Sequence, residues 1–413
     1  MPQLLEQYHG VCSTLAAVLP PMGEAMRRAL AAFPRPLAAS QLFAASDLAA
    51  VCADPLLLCL LDSVPVRHSG LELVLTALRA AWLDDASARE DALGFGCALA
   101  RQCFTNEYVF AATAEEEAKV EQLARTIADA LSARAAVAPA QVAALAMYRP
   151  LSALPVADAL LAGAWPAPLD AVLTQQIREP REETTLRAAI PRLTAIDDAV
   201  SQRVQQQYEE NPYPRGVRLT GGATPVTLDQ HLRNKFPTAA FAPRQHSAPL
   251  DILVPGCGTS LGAEVAQMYG EARVLAVDLS LASLAYAKRN TLPALAARVD
   301  YAQGDILKLG AIGRDFDLID CTGVLHHMAD PLEGWRVLLS LLRPNGIMHL
   351  GFYSERGRGD IIAARRFIAE HGYTASAADI RRCRQHLLQT EYRSVARFHD
   401  FFATSECRDL LFH

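Results

Sequence analysis

The sequence predicts an α/β fold, a Rossmann-like parallel sheet with interleaved helices, preceded by an all-helical domain. Three observations carry this prediction. After residue 250, short continuous apolar runs recur, each stopping at Gly, Asp or Pro, as buried parallel strands do. Helically spaced stretches separate them, so strand and helix alternate. Before residue 195 no β-rich run occurs. The expected division is 1–195 all-helical, 196–249 a helix, lid and connector, and 250–413 the sheet domain with C-terminal helices.

In the first division, Leu71, Val74, Leu75, Leu78 and Trp82 share one helix face, as do Val120, Leu123, Ile127 and Leu131. Prolines at 20, 34, 55, 139, 150, 166 and 180 mark turns or first helical positions. No 34-residue repeat is evident. The domain is expected to grip a substrate or partner, or simply to cover its neighbour.

Asp197–Gln207 is expected as a helix capped by Asp197-Asp198. The prolines of Asn211-Pro212-Tyr213-Pro214-Arg215 then end it. Tyr208 and Tyr213 are candidates for a lid over a ligand. Residues 217–249 read as a connector, with one helical turn at Asp229–Arg233.

The first strand is the apolar run Leu250–Val254. It stops at Pro255, and Gly256-Cys257-Gly258 lets the backbone turn sharply and approach a ligand. A helix from Gly262 to Tyr269 then presents its unpaired N–H groups. The second strand, Arg273–Val277, ends in Asp278-Leu279, where a carboxylate can accept ribose hydroxyls. A third, Val299–Ala302, leads to Gln303-Gly304-Asp305-Ile306, an acid and an apolar side chain suited to adenine. This is a nucleoside-cofactor site. The dinucleotide pattern G-x-G-x-x-G puts Leu261 at its third glycine, which favours S-adenosylmethionine over NAD.

The fourth strand, Phe316–Cys321, runs into Thr322-Gly323-Val324-Leu325-His326-His327-Met328-Ala329-Asp330-Pro331. His326 and His327 leave the strand's carboxyl end, where a base is useful. An unshifted imidazole titrates near neutrality, and His326 is the first choice. After a helix to about Leu342, Arg343–Gly346 turns into a fifth strand, Ile347–Phe352. Beyond it the pattern is helical at Asp360–Glu370 and Ala377–Gln389, with Ser376 as N-cap. Nine arginines and no lysine lie between Arg356 and Arg397 against four acids, either a solvated face or a rim that steers an anionic substrate.

Residues 250–355 resemble class I S-adenosylmethionine-dependent methyltransferases carrying the VLHHxxDP signature. A wider resemblance takes in Asp54–Leu58, Ile196–Val200 and Gln207–Arg215, shared with bacterial proteins that join a helical, often tetratricopeptide-repeat-bearing region to this domain. Ser260 departs from the family's third turn glycine, and Gly216 from an aromatic position after Pro-Arg. The resemblance implies methyl transfer to an acceptor, small molecule or protein, that it does not identify; the alternatives are a catalytically silent cofactor-binding scaffold and an NAD-linked oxidoreductase. The expected cofactor-binding residues are Tyr213, Val254, Gly256, Cys257, Gly258, Asp278, Leu279, Gly304, Asp305, Ile306, Thr322 and Gly323. Such sheets add a sixth and seventh strand, but no β run follows Tyr353 here. The expectation is therefore five strands in the order 3-2-1-4-5. Strand five would be an edge, covered by the Asp360–His413 helices or paired in a homodimer.

Composition bounds the rest. The 413 residues suffice for two or three cores, and a net charge of −6 gives nucleic-acid binding no support. Asn211-Pro212-Tyr213 superficially resembles a base-methylating loop, but it precedes the glycine turn instead of ending strand four. Nine cysteines with no C-x-x-C pair fit reduced thiols in a cytoplasm. Pro55–Leu61 is too short to cross a membrane. The adjacent histidines lack the spaced carboxylate–histidine pattern of a metal site.

Overall fold

The computed structural model describes residues 14–63, 65–85, 90–210, 212, 224–240 and 249–412. The chain forms two compact units. One comprises the chain up to Pro180 together with the chain from Gly359 onward; the other is Arg181–Arg358.

In the second unit β1 (Leu250–Pro255), β2 (Ala272–Asp278), β3 (Val299–Gln303), β4 (Phe316–Thr322) and β5 (Leu342–Gly351) form a parallel sheet, ordered β3-β2-β1-β4-β5. That order is the expected one. Continuous apolar strands follow from burial on both faces, because successive side chains alternate. Ile252, Val254, Val274 and Ala276 pack with Val265, Ala266 and Leu284 on one face. Leu253, Leu275, Val277 and Ile319 pack with Leu309, Leu325 and Leu338 on the other. The strand order reverses between β1 and β4, and in open parallel sheets ligands bind beyond the carboxyl ends of the strands at such a point.

Two features differ from expectation. β5 begins at Leu342, not Ile347, and absorbs the anticipated turn as a bulge: Phe316 pairs with Leu342, yet Leu318 pairs with Ile347. Asn345, at φ 64°, takes the left-handed conformation this requires. Arg343 anchors the bulge to two other strands, 2.8 Å from Asp251 and 2.9 Å from Asp317. Residues 191–193, expected in the helical domain, instead bracket β3. The Gln303 N–H donates to the Pro191 carbonyl, and the Leu193 N–H to the Gln303 carbonyl, each at 2.8 Å.

The helical unit corrects the expected 250–413 domain. Its core runs from Leu15 through Ile177, and the C-terminal helices Gly359–Glu370, Ala377–Leu388 and Thr404–Phe412 belong with it. Buried polar contacts explain this grouping. Arg384 pairs with Glu72 and donates to the Val109 carbonyl, Arg67 pairs with Glu406, and Glu107 accepts from the Ser405 N–H and hydroxyl. Apolar patterning shows that a helix has an inner face without showing which neighbour it faces. Among the described residues, no helix is long and apolar enough to cross a membrane.

Candidate active site

The site is built on the turn after β1. Gly256 and Gly258 have φ of +70° and +53°, and a Cβ on Gly256 would lie 2.4 Å from the Val324 side chain. Only glycine fits there. The Gly256 and Cys257 N–H groups both donate to the Val277 carbonyl, at 2.7 and 3.0 Å. Val254, just before the turn, is buried in the core. Cys257 is buried too, and burial followed by the Asp278 charge pushes its thiol well above the usual range, which leaves it unreactive. Leu261–Met268 follows as a helix. Gly262 sits so close to β2 that a Cβ would lie 2.7 Å from that of Ala276. The close helix–strand contact of nucleotide-binding sheets is therefore present, one residue later than in the dinucleotide pattern.

Asp278 ends β2, half-buried. One carboxylate oxygen accepts the Gly258 N–H and the other the Ser280 N–H, both at 2.9 Å. Burial raises its pKa, the nearby Glu209 charge adds to this, and the backbone N–H groups oppose it. The Leu279 carbonyl accepts from the Gln303 amide at 2.9 Å.

Glu209 was not among the expected residues. It lies at the end of the Ala199–Glu210 helix, which starts two residues later than expected and is capped by Asp198 alone. Its carboxylate accepts the Leu281 and Ala282 N–H groups at 2.5 and 3.2 Å, capping the Leu281–Asn290 helix. The neighbouring Tyr208 carbonyl accepts from the Ser280 hydroxyl at 2.9 Å. An acid beside a lid candidate was the only signal in the sequence, and chain patterning does not say which helix end it meets.

After β3, the Gly304 N–H donates to the Asp278 carbonyl at 3.0 Å, and a Cβ on Gly304 would lie 3.1 Å from Val277. Asp305 is 1% exposed. Its N–H donates to the Thr194 hydroxyl and its Oδ1 accepts from the Leu307 N–H, while its buried Oδ2 has no partner. Ile306 beside it is buried. Thr194 was also missed, being read as part of the helical domain.

At the end of β4, the exposed Thr322 hydroxyl donates to Asp320 at 3.0 Å. Gly323 (φ +77°) donates its N–H to the Gly351 carbonyl. A 3₁₀ turn, Leu325–His327, follows. The His326 imidazole lies 4.3 Å from that of His327 and 4.2 Å from the Tyr353 ring, and neither buried ring nitrogen has a hydrogen-bond partner. Burial, then His327 and Arg358, pulls its pKa down to about 4. The imidazole is thus neutral across the physiological range. His327 meets Tyr208 edge to face, with 6.4 Å between ring centres. Tyr213 lies outside the described residues. No group of three metal-ligating side chains occurs among the described residues.

Residues 253–350 match the methyltransferase-domain family. An uncharacterized Synechococcus protein is 32% identical over 177 residues, covering 42% of each chain. The mitochondrial ubiquinone biosynthesis O-methyltransferase of Schizosaccharomyces pombe is 30% identical over 136 residues, covering 32% of this chain and 49% of that one. Its counterpart from Xanthomonas campestris is 34% identical over 100 residues, 24% of this chain and 41% of that one. The chain therefore spans less than half the length of these relatives. Among solved structures, PKMT2 from Rickettsia typhi is 23% identical with a TM-score of 0.33, covering 43% of this chain and 37% of that one. Magnesium protoporphyrin IX methyltransferase from Synechocystis is 19% identical with a TM-score of 0.29, covering 40% and 80%.

Proposed function

We propose that this chain, which carries a class I methyltransferase domain, is an S-adenosylmethionine-dependent methyltransferase acting on an acceptor that presents a protonated nucleophile. The observation that carries this reading is the corner where Asp278 holds the Gly258 N–H at 2.9 Å, next to the glycine turn. Each carboxylate oxygen there spends one lone pair on a backbone N–H and keeps another for a ribose hydroxyl. The unpartnered Oδ2 of Asp305 suits the adenine amine, since a buried acceptor without a donor is unfavourable unless a ligand supplies one. The residues therefore fit the cofactor.

When bound, S-adenosylmethionine supplies an electrophilic methyl carbon on a sulfonium. The chain's own residues hold the acceptor in line and close, which accounts for most of the rate of such a displacement. His326 takes the acceptor's proton at a ring nitrogen; its neutral state and unpaired nitrogens suit that role. Tyr208, whose ring meets that of His327 edge to face, serves as a lid residue that limits water. The O-methyltransferase relatives favour an oxygen nucleophile.

The close packing of Gly262 on β2 supports one second reading, an NAD-linked oxidoreductase on the same sheet. The domain match favours methyl transfer. Homodimer formation across β5 is supported by its terminal place in the sheet beside exposed Trp335 and Phe352. Free cysteines among the described residues accord with a reducing compartment such as the cytoplasm.

The test is transfer of a labelled methyl group from S-adenosylmethionine in lysate of the source organism, followed by sizing of the product. Label in a product that depends on the chain and is lost with His326→Gln supports the reading. Absence of chain-dependent label contradicts it.

A further inference from the structure

The segment after β5 brings a cation to the edge where His326 stands. The guanidinium carbon of Arg358 lies 3.3 Å from the Tyr353 ring centre, and that ring is 4.2 Å from the His326 imidazole. A guanidinium laid flat on an aromatic ring keeps its N–H edge open to an acceptor in its own plane. Tyr353 is 42% exposed, so the stack is reachable from solvent.

Arg356, Arg366 and Arg393 of the arginine-rich stretch are exposed, whereas Arg358 is partly buried. Arg365, Arg381, Arg382, Arg384 and Arg397, also within the arginine-rich stretch, are engaged inside the helical unit. Arg289 and Arg343 of the sheet unit pair with carboxylates. Among the described residues, no carboxylate lies within ion-pair distance of Arg358, whose guanidinium stacks on the Tyr353 ring. A half-buried cation without a counter-ion is unfavourable unless a ligand brings the anion.

We propose that the acceptor is a flat, hydroxyl-bearing carboxylic acid whose carboxylate is held by the N–H edge of Arg358 while its hydroxyl faces His326. This rests on the methyl-transfer reading above. The rings of Tyr353 and His327 favour a flat molecule, and the planar guanidinium matches a carboxylate with two parallel hydrogen bonds. Arg358 also opposes protonation of His326 before the anion arrives.

Salicylate and salicylamide form a probe pair of equal shape that differs in charge. Each is titrated by calorimetry into the full chain, with and without S-adenosylhomocysteine. The parent should bind salicylate about tenfold or more tightly than the amide, a preference abolished by Arg358→Gln and weakened by Arg358→Lys. Equal binding of the two probes, no binding of either up to millimolar concentration, or a preference that survives Arg358→Gln overturns the proposal. S-adenosylhomocysteine affinity, measured in the same series, should be unchanged in Arg358→Gln. Failure of the parent to bind it would count against methyl transfer and leave the anion preference measurable in the arm without it.

Discussion

Arg384 and Glu72 stand 312 residues apart in the chain and form a two-pronged ion pair, at 2.8 and 3.1 Å, inside the helical unit. Arg384 is fully buried, and its remaining N–H groups reach the Phe401 and Val109 carbonyls. The pair ties the last helices to the helix Ser69–Asp84. Removing one partner strands the other charge without water. Glu72→Ala should therefore cost about 3–5 kcal/mol of stability in urea unfolding, and Glu72→Met with Arg384→Met together much less. A single variant as stable as the parent would show that the pair does not hold the unit.

That pairing also marks the limit of what patterning reveals. The strands, their order and the placement of Gly256, Gly258, Asp278 and Asp305 were legible, because parallel strands and glycine turns leave local signatures. Long-range partners were not. Arg384 looked like one of a charged series, and Glu209 like an acid in a linker, since nothing within a few residues of either reports its distant contact. In the sequence the bulge of β5 is indistinguishable from a turn, because Pro344, Asn345 and Gly346 suit both, and only the pairing with β4 decides between them.

Gly256→Ala should disable the cofactor site. Its φ of +70° is unfavourable for alanine, and the new Cβ would press on Val324 at 2.4 Å. Roughly 1–3 kcal/mol of stability should be lost, with weaker S-adenosylhomocysteine binding. A thermal melt and titration matching the parent would contradict the turn geometry.

Glu209→Gln removes a charge that helps raise the Asp278 pKa while leaving an oxygen to accept from the Leu281 N–H. Binding that needs the Asp278 carboxylate fails as it protonates on acidification. In Glu209→Gln this acid limb should move to lower pH. An unmoved or raised limb in titrations across pH would separate Glu209 from the site.

His326 sets two pH dependences. As a base it is competent when neutral, so the acid limb of kcat should fall near pH 4 instead of the ordinary 6.5. The folded state resists its protonation, so stability should decline as pH drops from about 6.5 towards 4, where the unfolded chain takes up the proton first. His326→Gln should flatten that decline and lower kcat more than cofactor affinity. An unchanged pH–stability profile in the variant would mean that the imidazole titrates normally.

The reading turns most directly on calorimetric titration of the full chain and of Asp278→Ala with S-adenosylhomocysteine and NAD. The account predicts one saturable site for S-adenosylhomocysteine, none for NAD, and a loss of roughly 2–4 kcal/mol of binding in a folded Asp278→Ala. Binding of NAD in preference, or equal S-adenosylhomocysteine affinity in the two proteins, would contradict it.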